Sequence, residues 1–313
     1  MNLLAADIGG TNSRLAWIAE DGIHAENYRN ADFTDLYQVI ERFLQERGGV
    51  KARMERMVLA LPGPADPECV RLTNIDWQVE RARLEERFEV REAILINDFQ
   101  AAAMGALHAP SRQVLNPGRD GAANAAAVVT GVGTGLGLAW CPDVAACELP
   151  YATEGGHADF APSNAGECEL HGWLAERYGH VSWERVLSGE GLRDLYRFFS
   201  GCADEAPSAA QIDQLATDGD ARARKVMDTF VAVLGRYAGN LALQFNPGAG
   251  VYLCGGVATH LAKWITAGVG THYLDKGRMR EQAARIPAYL IDRHDIGLMG
   301  AIQIARGVEI GTA

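Results

Sequence analysis

Lysine is scarce in this chain, and signatures that depend on basic residues are missing. The 313 residues include only four lysines, and the formal net charge is −11 at pH 7, with 29 Lys and Arg against 40 Asp and Glu. Nucleic-acid binding needs a basic face to neutralise phosphates, so this balance disfavours that class. No Gly-Lys-Ser/Thr sequence occurs, which excludes a Walker A phosphate loop.

Cysteine, targeting and membrane patterns are also weak. The six cysteines are scattered with no Cys-x-x-Cys pair, which argues against a disulfide framework or a zinc site. The N-terminus lacks the basic region of a signal peptide. The uncharged stretch 121–142 is interrupted by Asn124 and several glycines, which favours a buried hairpin over a membrane span. We expect a cytoplasmic protein with no membrane and no nucleic-acid partner.

One short pattern occurs twice. Residues 10–17 and 133–140 both read Gly-Thr-x-x-x-Leu-Ala-Trp, and each follows an apolar run. The pattern predicts two hairpins, each with a tight glycine-rich turn. Two such turns facing one cleft could hold a polyphosphate from both sides, because glycine lets backbone N–H groups approach phosphate. The alternative is two ordinary hairpins that share letters by chance.

The remaining sequence alternates short apolar runs with helical periodicity, which predicts an α/β fold. We expect a small α/β domain at residues 1–109 plus 297–313 and a large α+β domain at 110–296. The predicted strands include 3–8, 13–19, 57–61, 93–96, 251–254 and 288–291, and the predicted helices include 32–47, 101–107, 220–245 and 297–305.

Two glycine-rich segments and one acid could contribute to a phosphate site. Asp7 stands just before the first turn, where an acid beside a triphosphate most often positions Mg²⁺; the alternative is a turn-capping carboxylate. Gly255-Gly256 follows a predicted strand and would let a flat ligand lie against the backbone, unless it is a plain strand-to-helix turn. The glycines at 131–137 do not fit the dinucleotide-binding fingerprint, because leucine occupies the third glycine position.

Asn97-Asp98 stands at the end of the predicted strand 93–96. Ligands of α/β domains collect at the carboxyl ends of strands. A carboxylate there can take the proton of an attacking hydroxyl during phosphoryl transfer. The alternative is that Asp98 caps the following helix, which aspartate does well.

A second polar cluster follows the repeated pattern. Residues 154–159 read Glu-Gly-Gly-His-Ala-Asp, and the two glycines would let a carboxylate and an imidazole reach one small ligand. Sugar hydroxyls suit these groups, because each hydroxyl donates and accepts a hydrogen bond. A zinc site is the competing interpretation, but the spacing of His157, Cys168 and His171 matches no structural zinc pattern. Glu184 is either a further ligand-binding acid or an exposed helix acid.

Taken in order, these motifs resemble the bacterial ATP-dependent glucokinases, a zinc-free branch of the hexokinase and actin-like ATPase superfamily. The resemblance implies a two-lobed actin-like ATPase (ribonuclease-H-like) α/β fold, with the duplicated β-hairpins as a phosphate clamp and a central cleft that closes on the sugar. It implies phosphorylation of glucose at the 6-hydroxyl, giving glucose 6-phosphate and ADP. The matching segments span nearly the whole chain: 7–14, 61–64, 73–77, 97–101, 130–137, 154–162, 184–189 and 254–258.

The resemblance also implies roles for single residues. Asp98 would be the general base, and Asp7 would position Mg²⁺ through water. The sugar hydroxyls would be bound by Asn97, Asp98, Glu154, His157 and Glu184. ATP would be bound by Asp7, Gly9, Gly10, Thr11, Asn12, Gly133, Thr134, Gly135, Gly255 and Gly256. Related zinc-binding sugar kinases and repressors carry a cysteine-rich motif after the Glu-x-Gly-His segment, and only Cys168 stands there, so no structural zinc is expected.

Other functions remain open on the sequence. A kinase for mannose or an N-acetylated hexosamine would share the phosphate-binding residues and differ around the sugar. A non-catalytic, sugar-responsive regulator would bind nucleotide without consuming it; we expect no DNA-binding module, because the first predicted strand begins at Leu3. Polyphosphate could replace ATP as donor, and a homodimer is expected only from the family.

Overall fold

The computed structural model describes residues 2–47, 54–63, 66–119, 125–201 and 205–307. The chain divides into two compact units. The first comprises Met1–His108, Glu148–Tyr151 and Asp295–Ala313, and the second comprises Ala109–Cys147 and Ala152–His294. We expected residues 148–151 in the larger domain, and this division groups them with the first unit. Pro64 of the segment 61–64 and residues 121–124 of the uncharged stretch lie outside the described residues.

Strands and helices alternate along most of the chain. The strands are β1 (Leu3–Ile8), β2 (Asn12–Ala19), β3 (Gly22–Arg29), β4 (Arg56–Leu61), β5 (Cys69–Arg71), β6 (Gln78–Glu80), β7 (Glu92–Asn97), β8 (Gln113–Asn116), β9 (Ala127–Val132), β10 (Leu136–Cys141), β11 (Tyr151–Thr153), β12 (Gly250–Cys254) and β13 (Ala288–Leu290). The helices are α1 (Leu36–Glu46), α2 (Arg81–Phe88), α3 (Asp98–Leu107), α4 (Ala165–Tyr178), α5 (Gly189–Ser200), α6 (Ala209–Thr217), α7 (Ala221–Phe245), α8 (Gly256–His260), α9 (Ala262–Tyr273), α10 (Arg280–Arg285) and α11 (Ile296–Gly307).

The first unit is built on a mixed sheet with the strand order β3-β2-β1-β4-β7. β1 and β2 form an antiparallel hairpin, while β1, β4 and β7 run parallel. β1 and β4 are buried at nearly every position, as expected for strands of a sheet that is covered on both faces. The carboxyl ends of these three parallel strands therefore lie along one edge, where ligands of α/β proteins usually bind.

The second unit repeats this local arrangement. Its main sheet has the order β11-β10-β9-β12-β13-β8, and β9 and β10 form an antiparallel hairpin. β12 runs parallel to β9, as β4 runs parallel to β1 in the first unit. The duplicated hairpin predicted from the repeated sequence pattern is thus confirmed.

The long helix α7 contributes many of the buried side chains in the second unit's core. Val226, Phe230 and Leu234 are buried on its inner face. The Asp220 side chain caps its first turn by accepting a hydrogen bond from the Ala223 N–H at 2.8 Å. Asn246 ends it in a left-handed conformation, with φ of 45°. No helix in the described ranges is long and apolar enough to cross a membrane.

Several element boundaries differ from the predictions. The first predicted helix began at residue 32, but residues 30–32 form a 3₁₀ turn and α1 begins at Leu36, because Asp35 caps it through the Gln38 N–H. The predicted helix at 101–107 begins earlier, at Asp98. β3 and α2 were not predicted, since their residues are mostly exposed and polar.

Helices α3 and α11 of the first unit touch through their backbones. A Cβ atom added at Gly300 in α11 would lie 1.7 Å from the Ala101 carbonyl oxygen of α3. A Cβ at Gly105 in α3 would lie 2.0 Å from the Ile296 carbonyl oxygen of α11. No side chain fits at either position, so glycine is what permits this close approach.

We expect Gly300→Ala to destabilise the protein by about 1–3 kcal/mol or more, because the new methyl group overlaps a backbone oxygen that cannot move alone. The matched control is Gly172→Ala in α4, where an added Cβ meets no atom within 4 Å. That change should stabilise by up to about 1 kcal/mol through helix propensity. Urea unfolding of both variants measures the difference, and equal midpoints would contradict the close packing.

Candidate active-site residues in each unit

The turn of the first hairpin is held by a buried asparagine. The Gly9 N–H donates to the Asn12 carbonyl at 2.8 Å, which closes the turn. Asn30 Nδ2 donates to the Gly9 carbonyl at 2.8 Å, and the Asn30 N–H donates to the Thr11 carbonyl at 2.9 Å. Ser13 Oγ in turn donates to Asn30 Oδ1 at 2.7 Å. Sequence reasoning missed Asn30, since it carries no motif that separates it from other asparagines.

Gly10 is required by packing. A Cβ at this position would lie 2.8 Å from the Asn74 Cβ, so the turn and the 73–77 segment pack directly together. The Thr73 N–H donates to the Pro62 carbonyl at 3.2 Å, which continues the same contacts toward the loop after β4. Three separate sequence motifs thereby meet at one edge of the sheet.

Asn97, and not Asp98, caps helix α3. Asn97 Oδ1 accepts from the Phe99 N–H at 2.9 Å, and its Nδ2 donates to the Gly63 carbonyl at 2.9 Å. Gln100 completes a capping box, because its Oε1 accepts from the Asn97 N–H at 3.1 Å. The capping role considered for Asp98 therefore belongs to its neighbour, and Asp98 occupies the first helical position with a half-buried side chain.

Asp98 carries a strongly perturbed carboxyl group. Burial, as the larger cause, and the nearby charge of Asp7 together raise its pKa to about 6, against opposing hydrogen bonds from the backbone of residues 98 and 99. A carboxylate poised near neutral pH is suited to accept a proton. The two acids thus interact electrostatically within the first unit.

Asp7 is itself tightly enclosed. Its side chain is 19% exposed, and burial raises its pKa while Arg14 at 3.5 Å lowers it. A Cβ at Gly297 would lie 2.6 Å from Asp7 Oδ2, so the first turn of α11 packs against the carboxylate. Sequence reasoning did not identify Gly297 as part of this group.

The second hairpin turn is connected to Glu184. The Gly133 N–H donates to the Gly135 carbonyl at 2.9 Å, and the Gly189 N–H, at the start of α5, donates to the Gly133 carbonyl at 2.9 Å. The Leu136 N–H donates to Glu184 Oε2 at 2.9 Å. Thr134, at the tip, is exposed. Glu184 is therefore not simply an exposed helix acid.

The glycine pair of residues 154–159 packs against β10. A Cβ at Gly156 would lie 1.9 Å from the Leu136 carbonyl oxygen, and a Cβ at Gly155 would lie 2.3 Å from Leu138 Cδ2. This contact places His157 Nδ1 3.9 Å from Glu184 Oε1. His157 Nε2 lies 3.7 Å from Glu154 Oε2, and the Glu154 side chain is 92% exposed.

Gly255 and Gly256 have different surroundings. Gly255 has φ of 100°, and a Cβ there would lie 2.6 Å from the Val132 carbonyl oxygen, so it packs beside the start of the second hairpin turn. Gly256 begins α8 and has open space where a side chain would be. In the described part of the chain, no group of three or more His, Cys, Asp or Glu residues is arranged to hold a metal ion.

Comparisons with known proteins assign the family. The family model described as Glucokinase matches residues 4–308. A curated glucokinase of Hahella chejuensis is 33% identical over 316 residues, which cover 98% of this chain and 98% of that protein. The chain belongs to the glucokinase family.

Solved structures agree with this assignment. A glucokinase from an Antarctic psychrotroph has a TM-score of 0.85 and 28% identity, covering 97% of this chain and 98% of that one. A ROK-family glucokinase of Streptomyces griseus, solved with glucose and AMPPNP, has a TM-score of 0.64 at 18% identity, covering 98% and 99% of the two chains. The predicted actin-like ATPase fold is confirmed.

The predicted site residues form one group in each unit of this glucokinase-family chain. In the first unit, the edge at the carboxyl ends of β1, β4 and β7 collects Asp7, Gly9, Gly10, Thr11, Asn12, Asn97 and Asp98. In the second unit, the surroundings of the β9–β10 turn collect Gly133, Thr134, Gly135, Glu154, His157, Glu184, Gly255 and Gly256. Their roles toward ligands stay predictions.

We expect Asp98→Asn to stabilise the protein at pH 7.5 by about 2 kcal/mol, because the folded chain no longer carries a buried charge. The raised pKa means that the folded state binds the proton more tightly than the unfolded state. The cost of the ionised group is therefore complete above about pH 6 and declines below it. Urea unfolding should show the gain falling to roughly half at pH 5. A gain that is absent at pH 7.5, or constant with pH, would contradict this view of Asp98.

Proposed function

We propose that this chain transfers the γ-phosphoryl group of ATP to the 6-hydroxyl of glucose, with Asp98 as the general base. The oxygen of the 6-hydroxyl attacks the γ-phosphorus while Asp98 accepts the hydroxyl proton. The bond from the γ-phosphorus to the bridging oxygen breaks, which releases ADP and leaves glucose 6-phosphate. The family assignment supports the activity, and the raised pKa of Asp98 is the observation that carries the choice of base.

The position of Asp98 supports this role. A general base must change its protonation state during the reaction, and a carboxyl group with a pKa of about 6 does so readily near neutral pH. The Asn97 cap and the Gln100 side chain fix the start of α3, which limits the movement of the acid. Phosphoryl transfer asks a protein mainly for alignment and charge neutralisation, so such fixation contributes directly to rate.

We assign the sugar hydroxyls other than the 6-hydroxyl to Glu154, His157, Glu184 and Asn97. The first two side chains are more than half exposed, which leaves their polar atoms accessible to a ligand. Asn97 already uses one amide hydrogen and its carbonyl oxygen within the protein. Its second amide hydrogen remains to donate to a hydroxyl.

We assign the ATP phosphates to residues 9–12 and 133–135 and the adenosine to Gly255-Gly256. Gly9 and Gly133 use their own N–H groups within the turns, but glycine-rich turns let other backbone N–H groups approach phosphate oxygens. Asp7 fits a Mg²⁺ ion that is bound through water, because Mg²⁺ commonly takes one carboxylate together with waters and substrate phosphates. Burial raises the pKa of Asp7, and a nearby cation would offset the cost of its buried negative charge. When bound, Mg²⁺ would neutralise phosphate charge.

The remaining assignments rest on the family. Glucose is preferred over mannose or an N-acetylated hexosamine because the matching family model and the full-length curated relative are both glucokinases. The structure of a relative with AMPPNP favours ATP over polyphosphate as the donor. We keep the homodimer and the cytoplasmic location as predictions.

We expect Asp98→Asn to lower turnover by about 10²-fold or more while glucose still binds, because the amide cannot accept the proton. Steady-state kinetics and glucose titration measure the two effects separately. Asp21→Asn is the matched control, since Asp21 lies in the turn between β2 and β3 and its side chain is 73% exposed. Turnover within threefold of the wild type in Asp98→Asn would remove Asp98 from the mechanism.

A panel of sugars tests the substrate assignment. With ATP and Mg²⁺, ADP release should be fastest with glucose, and the product should be phosphorylated at the 6-position. Mannose or N-acetylglucosamine as the best substrate by kcat/KM would replace glucose in the proposal. Nucleotide binding without sugar-dependent ADP release would instead indicate a regulator.

A further inference from the structure

Glu184 makes a contact that a sugar-binding residue does not require. Its Oε2 accepts the Leu136 N–H at 2.9 Å, at the point where the second hairpin turn enters β10. Its Oε1 faces the other way, 3.9 Å from His157 Nδ1. One carboxylate therefore has one oxygen bonded to the residue that follows the turn assigned to phosphate, and the other toward the segment assigned to sugar.

Gly135 packs closely against the same carboxylate. A Cβ added at Gly135 would lie 2.6 Å from Glu184 Oε2 and 3.5 Å from Glu184 Cδ. Gly133, two residues earlier in the same turn, has no atom within 4 Å of the corresponding position. The conformation of the turn at Gly135, but not at Gly133, is therefore tied to the position of Glu184.

A backbone contact reinforces this connection. Gly156, between Glu154 and His157, packs so closely on Leu136 that a Cβ would lie 1.9 Å from the Leu136 carbonyl oxygen. The N–H of Leu136 thus donates to Glu184, and the carbonyl group of Leu136 contacts Gly156 of the 154–157 segment. A shift of the turn at this residue changes both parts of the sugar-binding group.

We propose that Glu184 and Gly135 couple the binding of the two substrates. Nucleotide phosphates bound at the second hairpin turn change the affinity for sugar, and bound sugar changes the affinity for nucleotide. The Glu184–Leu136 hydrogen bond connects the two effects. The proposal rests on the proposed function for the identity of the two ligands. In it, Glu184 is a positioning residue for the turn as well as a sugar ligand. Coupling between sites is reciprocal, so it can be measured from either side.

The first experiment measures glucose affinity without nucleotide, by calorimetric titration of the full chain. Gly135→Ala should weaken glucose binding about fivefold or more, because the methyl group displaces the Glu184 carboxylate. Gly133→Ala places the same methyl group in the same turn but in open space. It should leave nucleotide-free glucose affinity within twofold of the wild type. Equal glucose affinity of the two variants would overturn the proposal.

The second experiment measures binding of a non-hydrolysable ATP analogue without sugar. Glu184→Ala should weaken it about fivefold or more, since the Leu136 N–H loses its acceptor. Glu184→Gln keeps an oxygen acceptor and should restore affinity to within twofold. Glu169→Ala, which removes an exposed glutamate of α4, should have no effect above twofold. Unchanged analogue affinity in Glu184→Ala, or no rescue by Glu184→Gln, would overturn the proposal.

The two experiments separate this proposal from the proposed function. If wild-type protein does not bind or phosphorylate glucose, the assigned substrate is wrong, and analogue binding in the Glu184 variants still decides whether this residue positions the turn. Melting temperatures of all variants check folding. If Gly135→Ala is unfolded, analogue binding in the Glu184 variants alone supports or overturns the proposal.

Discussion

The first unit depends on holding two acids, Asp7 and Asp98, where burial and their mutual repulsion oppose ionisation. Such an arrangement lowers the stability of the folded state, so other interactions in the unit must hold the two acids in place. The Asn97 cap fixes one acid at the start of α3, and Arg14 and the first turn of α11 enclose the other. Carboxyl groups with pKa values perturbed in this way cluster at functional sites, which is consistent with the role proposed for Asp98.

The second unit answers a different requirement. It must keep a glycine-rich turn in one conformation without bulky side chains. Hydrogen bonds from Gly189 and to Glu184 do this from outside the turn. The glycines of the Glu-Gly-Gly-His segment allow backbone to touch backbone at Leu136. Rigidity here comes from close contact of main chains.

Local sequence signals predicted the elements whose causes are local. The helix α7 was predicted to within one residue because its apolar periodicity is long and Asp220 and Asn246 mark its ends. β3 was missed because it is an exposed edge strand that is defined by pairing with β2, and its sequence alternates poorly. The cap of α3 was considered only for Asp98, whereas Asn97 provides it, and both residue types cap helices well.

The candidate site shows the same division. Motif spacing drew attention to the acids and turns, because the chemistry proposed for them requires those residue types. Partners that hold them, such as Asn30 and Gly297, lie elsewhere along the chain and were not identified. For Gly155 and Gly156, sequence reasoning offered only freedom of the loop. Their close approach to β10 depends on tertiary packing, which local sequence patterns do not reveal.

The contact between α3 and α11 has a consequence for how the molecule is made. Asp98 lies on α3, near the beginning of the chain, whereas the helix that packs against α3 spans Ile296–Gly307. Domains usually fold as units, in the order in which ribosomes produce them. Here the first unit lacks helix α11 until the whole of the second unit has been translated. Its acids therefore reach their final surroundings last, and a nascent chain can complete the second unit before it possesses a finished first one.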